Sequence, residues 1–191
     1  MTDLPARIGP YRVTRKLGEG GMGVVYAAVD EKLNRPVAVK TIRDAGADPA
    51  SRERFWREAR AAAAVSHPNI CQLYEIAEDG HELFLVMGLL EGQPLSEKLL
   101  AGPLSPHDAL TLLEPVLEAL EALHARGIVH RDLKPSNVFV TSYGVKLLDF
   151  GLARSVASDV AATVPDLTLA GQVMGTPAYM APEQLDGSPV D

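Results

Sequence analysis

The 191-residue sequence predicts an α+β chain in two parts: a five-stranded antiparallel sheet with one main helix, then a mostly helical region. Three observations carry that expectation. Five β-rich segments fall within residues 1–87, where only residues 51–65 have helical composition. Residues 88–92, Gly-Leu-Leu-Glu-Gly, interrupt the strand pattern. Beyond them a long helix starts at Ser105-Pro106-His107-Asp108.

Composition narrows the classes. Apolar content of 47% with 23% charged residues suits a soluble globular protein. A net charge of −7 with no basic stripe argues against a nucleic-acid surface. The single cysteine, Cys71, excludes an internal disulfide framework and reads as a small core residue. No apolar run approaches the roughly 18 residues of a membrane span, and residues 1–10 lack a signal-peptide core, so the expected location is the cytoplasm. The five histidines show no metal-ligand spacing, and His107 and His124 read as structural.

In chain order, Tyr11–Leu17 and Gly23–Asp30 read as strands joined by Gly18-Glu19-Gly20-Gly21-Met22-Gly23. A GxGxxG pattern alone is weak. Here a β-rich stretch follows it, whereas a dinucleotide-binding turn opens a helix, and no G-K-[ST] follows any glycine run. The expected object is a strand–loop–strand flap whose glycine amides approach phosphates unobstructed. The third strand, Pro36–Thr41, carries Lys40 near its end. In the helix 51–65, Phe55, Ala59 and Ala62 share one face with Glu58 beside them. Strands at 70–77 and 83–87 flank the turn Glu78-Asp79-Gly80. The helix from Ser105 runs to Arg126 and stops at Gly127. Leu110, Leu113, Leu117, Leu120 and His124 trace its expected buried stripe, and Pro115 inside it should kink it.

The chemistry concentrates in His130-Arg131-Asp132-Leu133-Lys134-Pro135-Ser136-Asn137, followed twelve residues later by Asp149-Phe150-Gly151. Apolar runs bracket these residues, so the simplest geometry is a loop, a short hairpin, and Asp149 returned to the same mouth. Two carboxylates and a carboxamide converging there suit Mg²⁺ and phosphate oxygens.

With Gly175-Thr176-Pro177-Ala178-Tyr179-Met180-Ala181-Pro182-Glu183, these motifs resemble a protein kinase, in the manner of the bacterial, eukaryote-like (Hanks-type) serine/threonine kinases. The resemblance runs from about Tyr11 to the last residue. It implies the two-lobed kinase fold, with residues 1–87 as small lobe, 88–92 as hinge and 93–191 as part of the large lobe. It implies ATP-dependent phosphorylation of protein serine and threonine hydroxyls, including the chain's own activation loop, with Mg²⁺ (or Mn²⁺) as metal.

Residue by residue, the resemblance makes Asp132 the group that orients the attacking hydroxyl and Lys134 the neutraliser of the transferred phosphoryl. Asn137 and Asp149 become metal ligands. Lys40 would meet the α- and β-phosphates and pair with Glu58. Leu17, Gly18, Gly20, Gly23, Val25 and Ala38 would surround the nucleotide with Met87 as gatekeeper, and the backbone of Gly88 and Leu90 would bond the purine edge. Serine/threonine specificity rests on Lys134 with Thr176. Arg131 suggests an activation-loop phosphate, with Thr168 and then Thr163 as preferred sites.

The pattern stops at Asp191, before the later large-lobe helices such a domain carries. The expectation is a C-terminal truncation starting from a genuine Met1, with part of the 110–123 stripe uncovered. The alternative to an active enzyme is a catalytically weak nucleotide-binding or protein-interaction module.

Overall fold

The computed structural model describes residues 4–20, 23–42, 49–80, 82–149 and 177–186. Six strands, β1 (Arg7–Ile8), β2 (Tyr11–Gly20), β3 (Gly23–Asp30), β4 (Arg35–Ile42), β5 (Leu73–Asp79) and β6 (Glu82–Gly88), form one antiparallel sheet ordered β1-β2-β3-β4-β6-β5. The five expected strands are there, and the two-residue β1 is added at the edge. The strand entering the glycine motif runs further than its apolar pattern indicated, through Gly20.

Period-2 alternation gives the sheet two buried faces. Val37 and Val39 of β4 and Phe84 and Val86 of β6 pack with Ile8, Tyr11, Val13 and Ala28 on the outer face. The alternate residues Ile42, Leu83 and Leu85 turn inward onto α1 (Pro49–Ala63). The predicted helix face holds: Phe55 and Ala59 are 0% exposed and Ala62 2%.

After β6 the chain passes through residues 89–91 to β7 (Gly92–Pro94), α2 (Leu95–Leu99) and α3 (Pro106–His124). A 3₁₀ turn at Pro135–Asn137 leads into β8 (Val138–Thr141) and β9 (Gly144–Leu147), which form a three-stranded sheet with β7 in the order β7-β8-β9. A second 3₁₀ turn (Pro177–Tyr179) and α4 (Pro182–Asp186) close the described chain.

Helix α3 starts and stops as its residues dictate. Ser105 caps it, its Oγ accepting from the Asp108 N–H at 3.1 Å, with Pro106 in the first turn. At the far end Gly127 sits at φ 69°. The Ile128 N–H reaches the Leu123 carbonyl at 3.0 Å and the Gly127 N–H that of His124 at 2.9 Å, the two bonds of a Schellman stop. Pro115 lies inside a helix that runs without interruption from Pro106 to His124.

The buried stripe of α3 is not the one its leucines traced. Val116, Ala119 and Leu123 are its buried residues, packed with Val138, Val145 and Leu147; of the expected stripe Leu120 is half-buried against that cluster, while Leu110 (68%), Leu113 (50%) and Leu117 (63%) are exposed and His124 faces solvent. Both faces of this helix are apolar, so periodicity could not select between them; the hairpin β8–β9 does. Leu123→Ala should therefore cost about 2–5 kcal/mol in urea denaturation, whereas Leu117→Ser should stay within about 0.5 kcal/mol. Gly92, at φ 141° with the Val140 carbonyl oxygen 2.1 Å from where a Cβ would lie, should lose on the order of 2 kcal/mol or more on replacement by alanine.

Candidate active site

The register of the large sheet collects the small-lobe candidates. Ala38 pairs with Met87 and Ala27, Lys40 with Leu85 and Val25, and Gly18 with Val25. Pairing partners share a face, so Val25, Ala38, Lys40 and Met87 all lie on the inner face, beside the stretch that α1 covers. Leu17 is exposed within β2, three residues before its end. The glycines divide by cause. A Cβ on Gly18 or Gly20 would meet nothing within 4 Å, so packing does not dictate glycine at either position. Gly23 sits at φ 140°, and a Cβ there would lie 1.8 Å from the Thr41 carbonyl oxygen, so its identity is dictated by β4 itself.

At residue 88 the N–H is already given to the Gln72 carbonyl at 3.2 Å, and the carbonyl receives the Cys71 thiol at 3.6 Å. Burial raises the Cys71 thiol to about 11, keeping it protonated at neutral pH, as its reading as a core residue requires. Gly88 also has a steric reason: a Cβ there would come within 3.3 Å of the Tyr74 hydroxyl. Leu90 lies half-buried in the segment between β6 and β7.

The loop 130–137 is knit by its own polar atoms. Lys134 Nζ reaches both carboxylate oxygens of Asp132, at 3.0 and 2.8 Å. Asn137 Nδ2 donates to the Asp132 carbonyl at 2.8 Å and to its Oδ2 at 3.0 Å. That fixes the amide so that Asn137 Oδ1 is the acceptor left for something else. The Asn137 carbonyl accepts from the Leu148 N–H at 2.8 Å, tying the loop to the residue before Asp149.

Buried His130 (2% exposed) completes the frame. Its Nε2 lies 2.9 Å from the Leu148 carbonyl, which only accepts, so Nε2 carries the proton. Nδ1 is then free to accept the Asp132 N–H at 3.3 Å. A neutral ring does both; a protonated ring would turn a second N–H against the Asp132 amide. Burial pushes the imidazole below its usual range, in the same direction.

Asp149 sits at φ 53°, a region side chains seldom adopt. Its Oδ2 is 2.8 Å from Lys40 Nζ, an ion pair with the lysine buried and the carboxylate about one-third exposed. Lys40, Asp149, Asn137, Asp132 and Lys134 are thus linked in one bonded series. Glu58 lies half-buried on α1, and among the described residues no ion pair joins it to Lys40; the lysine's partner here is Asp149. Phe150, Gly151, Thr163, Thr168 and Thr176 lie outside the described residues.

An inward lysine under a glycine hairpin, paired with Asp149 and facing a loop that holds Asp132 and Asn137, is the arrangement of the protein-kinase class of fold. The protein kinase domain model matches residues 11–191, and the chain belongs to that family. It is 45% identical over 188 residues to the serine/threonine-protein kinase Pkn2 of Myxococcus xanthus, covering 96% of this chain and 22% of that one. It is 44% identical over 187 residues to the serine/threonine-protein kinase PknA of Mycobacterium tuberculosis, covering 94% of this chain and 42% of that one. Among solved structures, a PknI kinase domain of M. tuberculosis superposes with a TM-score of 0.77 at 30% identity, covering 100% of this chain and 71% of that one. The chain therefore spans less than half the length of these curated relatives. Members of the family generally use ATP and Mg²⁺. No helix among the described residues is long and apolar enough to cross a membrane.

Residue types and spacing predicted that these groups converge, but not the role of His130 or the Lys40–Asp149 pair. A buried neutral His130 makes a pH prediction. Its folded-state value is lowered, so below an unfolded value of about 6.5 the unfolded chain takes up a proton that the folded ring refuses, and stability is lost as pH falls. The urea midpoint should drop between pH 7.5 and 5.5, and by less in His130→Gln. A His130 ring resonance titrating at or above pH 6.5 would contradict this reading.

Proposed function

We propose that this chain is the ATP- and substrate-hydroxyl-handling part of a serine/threonine protein kinase. The observation that carries the reading is the series that runs from Lys40 by an ion pair to Asp149, along the chain to Leu148, and by hydrogen bonds and an ion pair through Asn137 to Asp132 and Lys134. Phosphoryl transfer needs positioning and charge compensation more than covalent participation by the protein, and this series supplies both.

Asn137 Oδ1 and the Asp149 carboxylate are hard oxygen donors of the kind Mg²⁺ takes, and the amide orientation leaves that oxygen free. They would hold the metal, which when bound offsets charge on the phosphates. Lys40 would exchange Asp149 for the α- and β-phosphates, with Glu58 as its partner in that state. Gly18 and Gly20 leave space for phosphates beneath the hairpin. Leu17, Val25, Ala38 and Met87 would enclose the purine, and the Gly88 carbonyl and Leu90 backbone would bond its edge. Asp132 would accept the proton of a serine or threonine hydroxyl as its oxygen bonds to the γ-phosphorus. The bond from that phosphorus to the β,γ-bridging oxygen breaks, and ADP leaves with the electron pair. Lys134, already on Asp132, is within reach of the transferred group. Thr176 with Lys134 would favour serine and threonine acceptors, and Thr168 or Thr163 would receive phosphate from the chain itself.

A second reading, a catalytically weak nucleotide-binding or protein-interaction module, is favoured in its interaction half by the exposed leucine face of α3. Intact mass of the chain before and after Mg·ATP separates the two. Gain of one or more phosphates of about 80 Da each is expected, lost in Asp149→Asn and reduced at least a hundredfold in rate in Lys40→Ala. A folded chain that binds Mg·ATP without gaining mass would instead establish the second reading.

A further inference from the structure

We infer that Gln184 is a positioning residue that holds the peptide plane in front of Asp132, coupling the Pro177–Ala181 segment to the group that receives the hydroxyl proton; this rests on the function proposed above. Its side-chain amide is used at both ends. Oε1 accepts from the Ala181 N–H at 3.1 Å, and Nε2 donates to the Arg131 carbonyl at 2.8 Å, across 53 residues of sequence.

The first bond is local. Ala181 precedes α4 and Gln184 is three residues on, the position from which glutamate or glutamine reaches back to a helix's capping N–H. Glutamate would serve the helix at least as well, because a negative charge is favoured in the first turn. The second bond needs an N–H donor, which glutamate lacks at neutral pH. Arg131 therefore supplies a reason for glutamine.

What that donor holds is a strained unit. Arg131 sits at φ 62°, at the centre of a three-residue turn closed by the Asp132 N–H on the His130 carbonyl at 2.9 Å. Such positive-φ turns are rare and costly for a residue with a side chain. The Arg131 carbonyl and the Asp132 N–H belong to one planar peptide. His130 holds its N–H edge, with its carbonyl and with Nδ1 at 3.3 Å, and Gln184 holds its carbonyl edge. Rotation about the Arg131 Cα–C bond would break the bond to Gln184 and swing the Asp132 Cα and carboxylate away from Lys134 and Asn137. Gripped on both edges, the plane stays in its strained orientation.

Two variants test this. Gln184→Glu keeps the bond from the Ala181 N–H and removes the donor; Gln184→Leu removes both. Both should lower kcat for phosphoryl transfer at least tenfold with KM for ATP changed less than twofold. In two-dimensional NMR both should speed hydrogen exchange of the Asp132 amide at least tenfold, while the Leu147 amide keeps its protection. Wild-type kcat and wild-type Asp132 protection in Gln184→Glu would overturn the inference and leave only the helix-capping role. If the parent chain transfers no phosphate, the catalytic proposal fails separately. The exchange measurement then decides alone: faster Asp132 exchange upholds the clamp, and unchanged exchange refutes it.

Discussion

Everything at the candidate site depends on how Leu147 and Leu148 are held. Their four backbone polar groups are all bonded, and the partners come from two distant parts of the chain. The Leu147 N–H and carbonyl bond Asn69 and Cys71, at 2.7 and 2.9 Å, joining β9 to the segment that enters β5. The Leu148 N–H and carbonyl bond Asn137 and His130, at 2.8 and 2.9 Å, joining it to the loop that bears Asp132. Asn69 adds its side-chain amide to the Val145 carbonyl at 3.0 Å. The next residue is Asp149. One dipeptide thus fixes the metal-ligand candidate against both the sheet that carries Lys40 and the loop that carries Asp132. Buried backbone groups must find partners, and here that requirement sets the geometry of a site.

The charges around this junction are arranged in two cation–carboxylate pairs, Lys40 with Asp149 and Lys134 with Asp132. In the function proposed above, each lysine would meet a phosphate, Asp149 would hold the metal and Asp132 would receive the hydroxyl proton. Left-handed backbone at Arg131 and Asp149 brackets the same region. Strain of that kind persists only where the surroundings over-determine it. At Arg131 those surroundings are the neutral ring and carbonyl of His130 and the amide of Gln184. At Asp149 they are the fixed Leu148 and the lysine.

Much of this was legible in the residues. The glycine hairpin was distinguished from a helix-opening turn by the β-rich stretch after it. The face of α1 followed from Phe55, Ala59 and Ala62 because its other face is polar. The stop of α3 at Gly127 and its start at Ser105 followed from capping chemistry. The face of α3 did not follow. Leu110, Leu113 and Leu117 are at least as apolar as Val116, Ala119 and Leu123, and larger than the first two, so the pattern favoured the stripe that the fold leaves exposed. At Gly23 the sequence did not show the steric reason for glycine, which is the Thr41 carbonyl.

What the sequence determined by itself is the inventory and its local geometry: alternating strands, capped helices, and acids, amide and lysines spaced to reach one mouth. Those features depend on neighbours within a few residues, which the order of side chains specifies directly. Tertiary structure alone decided which face of α3 is buried, that Lys40 bonds Asp149 in this state, and that Gln184 reaches the Arg131 carbonyl. Each depends on contacts across tens of residues, where a hydrogen bond a few tenths of an ångström longer is weakened and a helix rotated by one residue presents another face. Such contacts exist only once the chain has returned on itself.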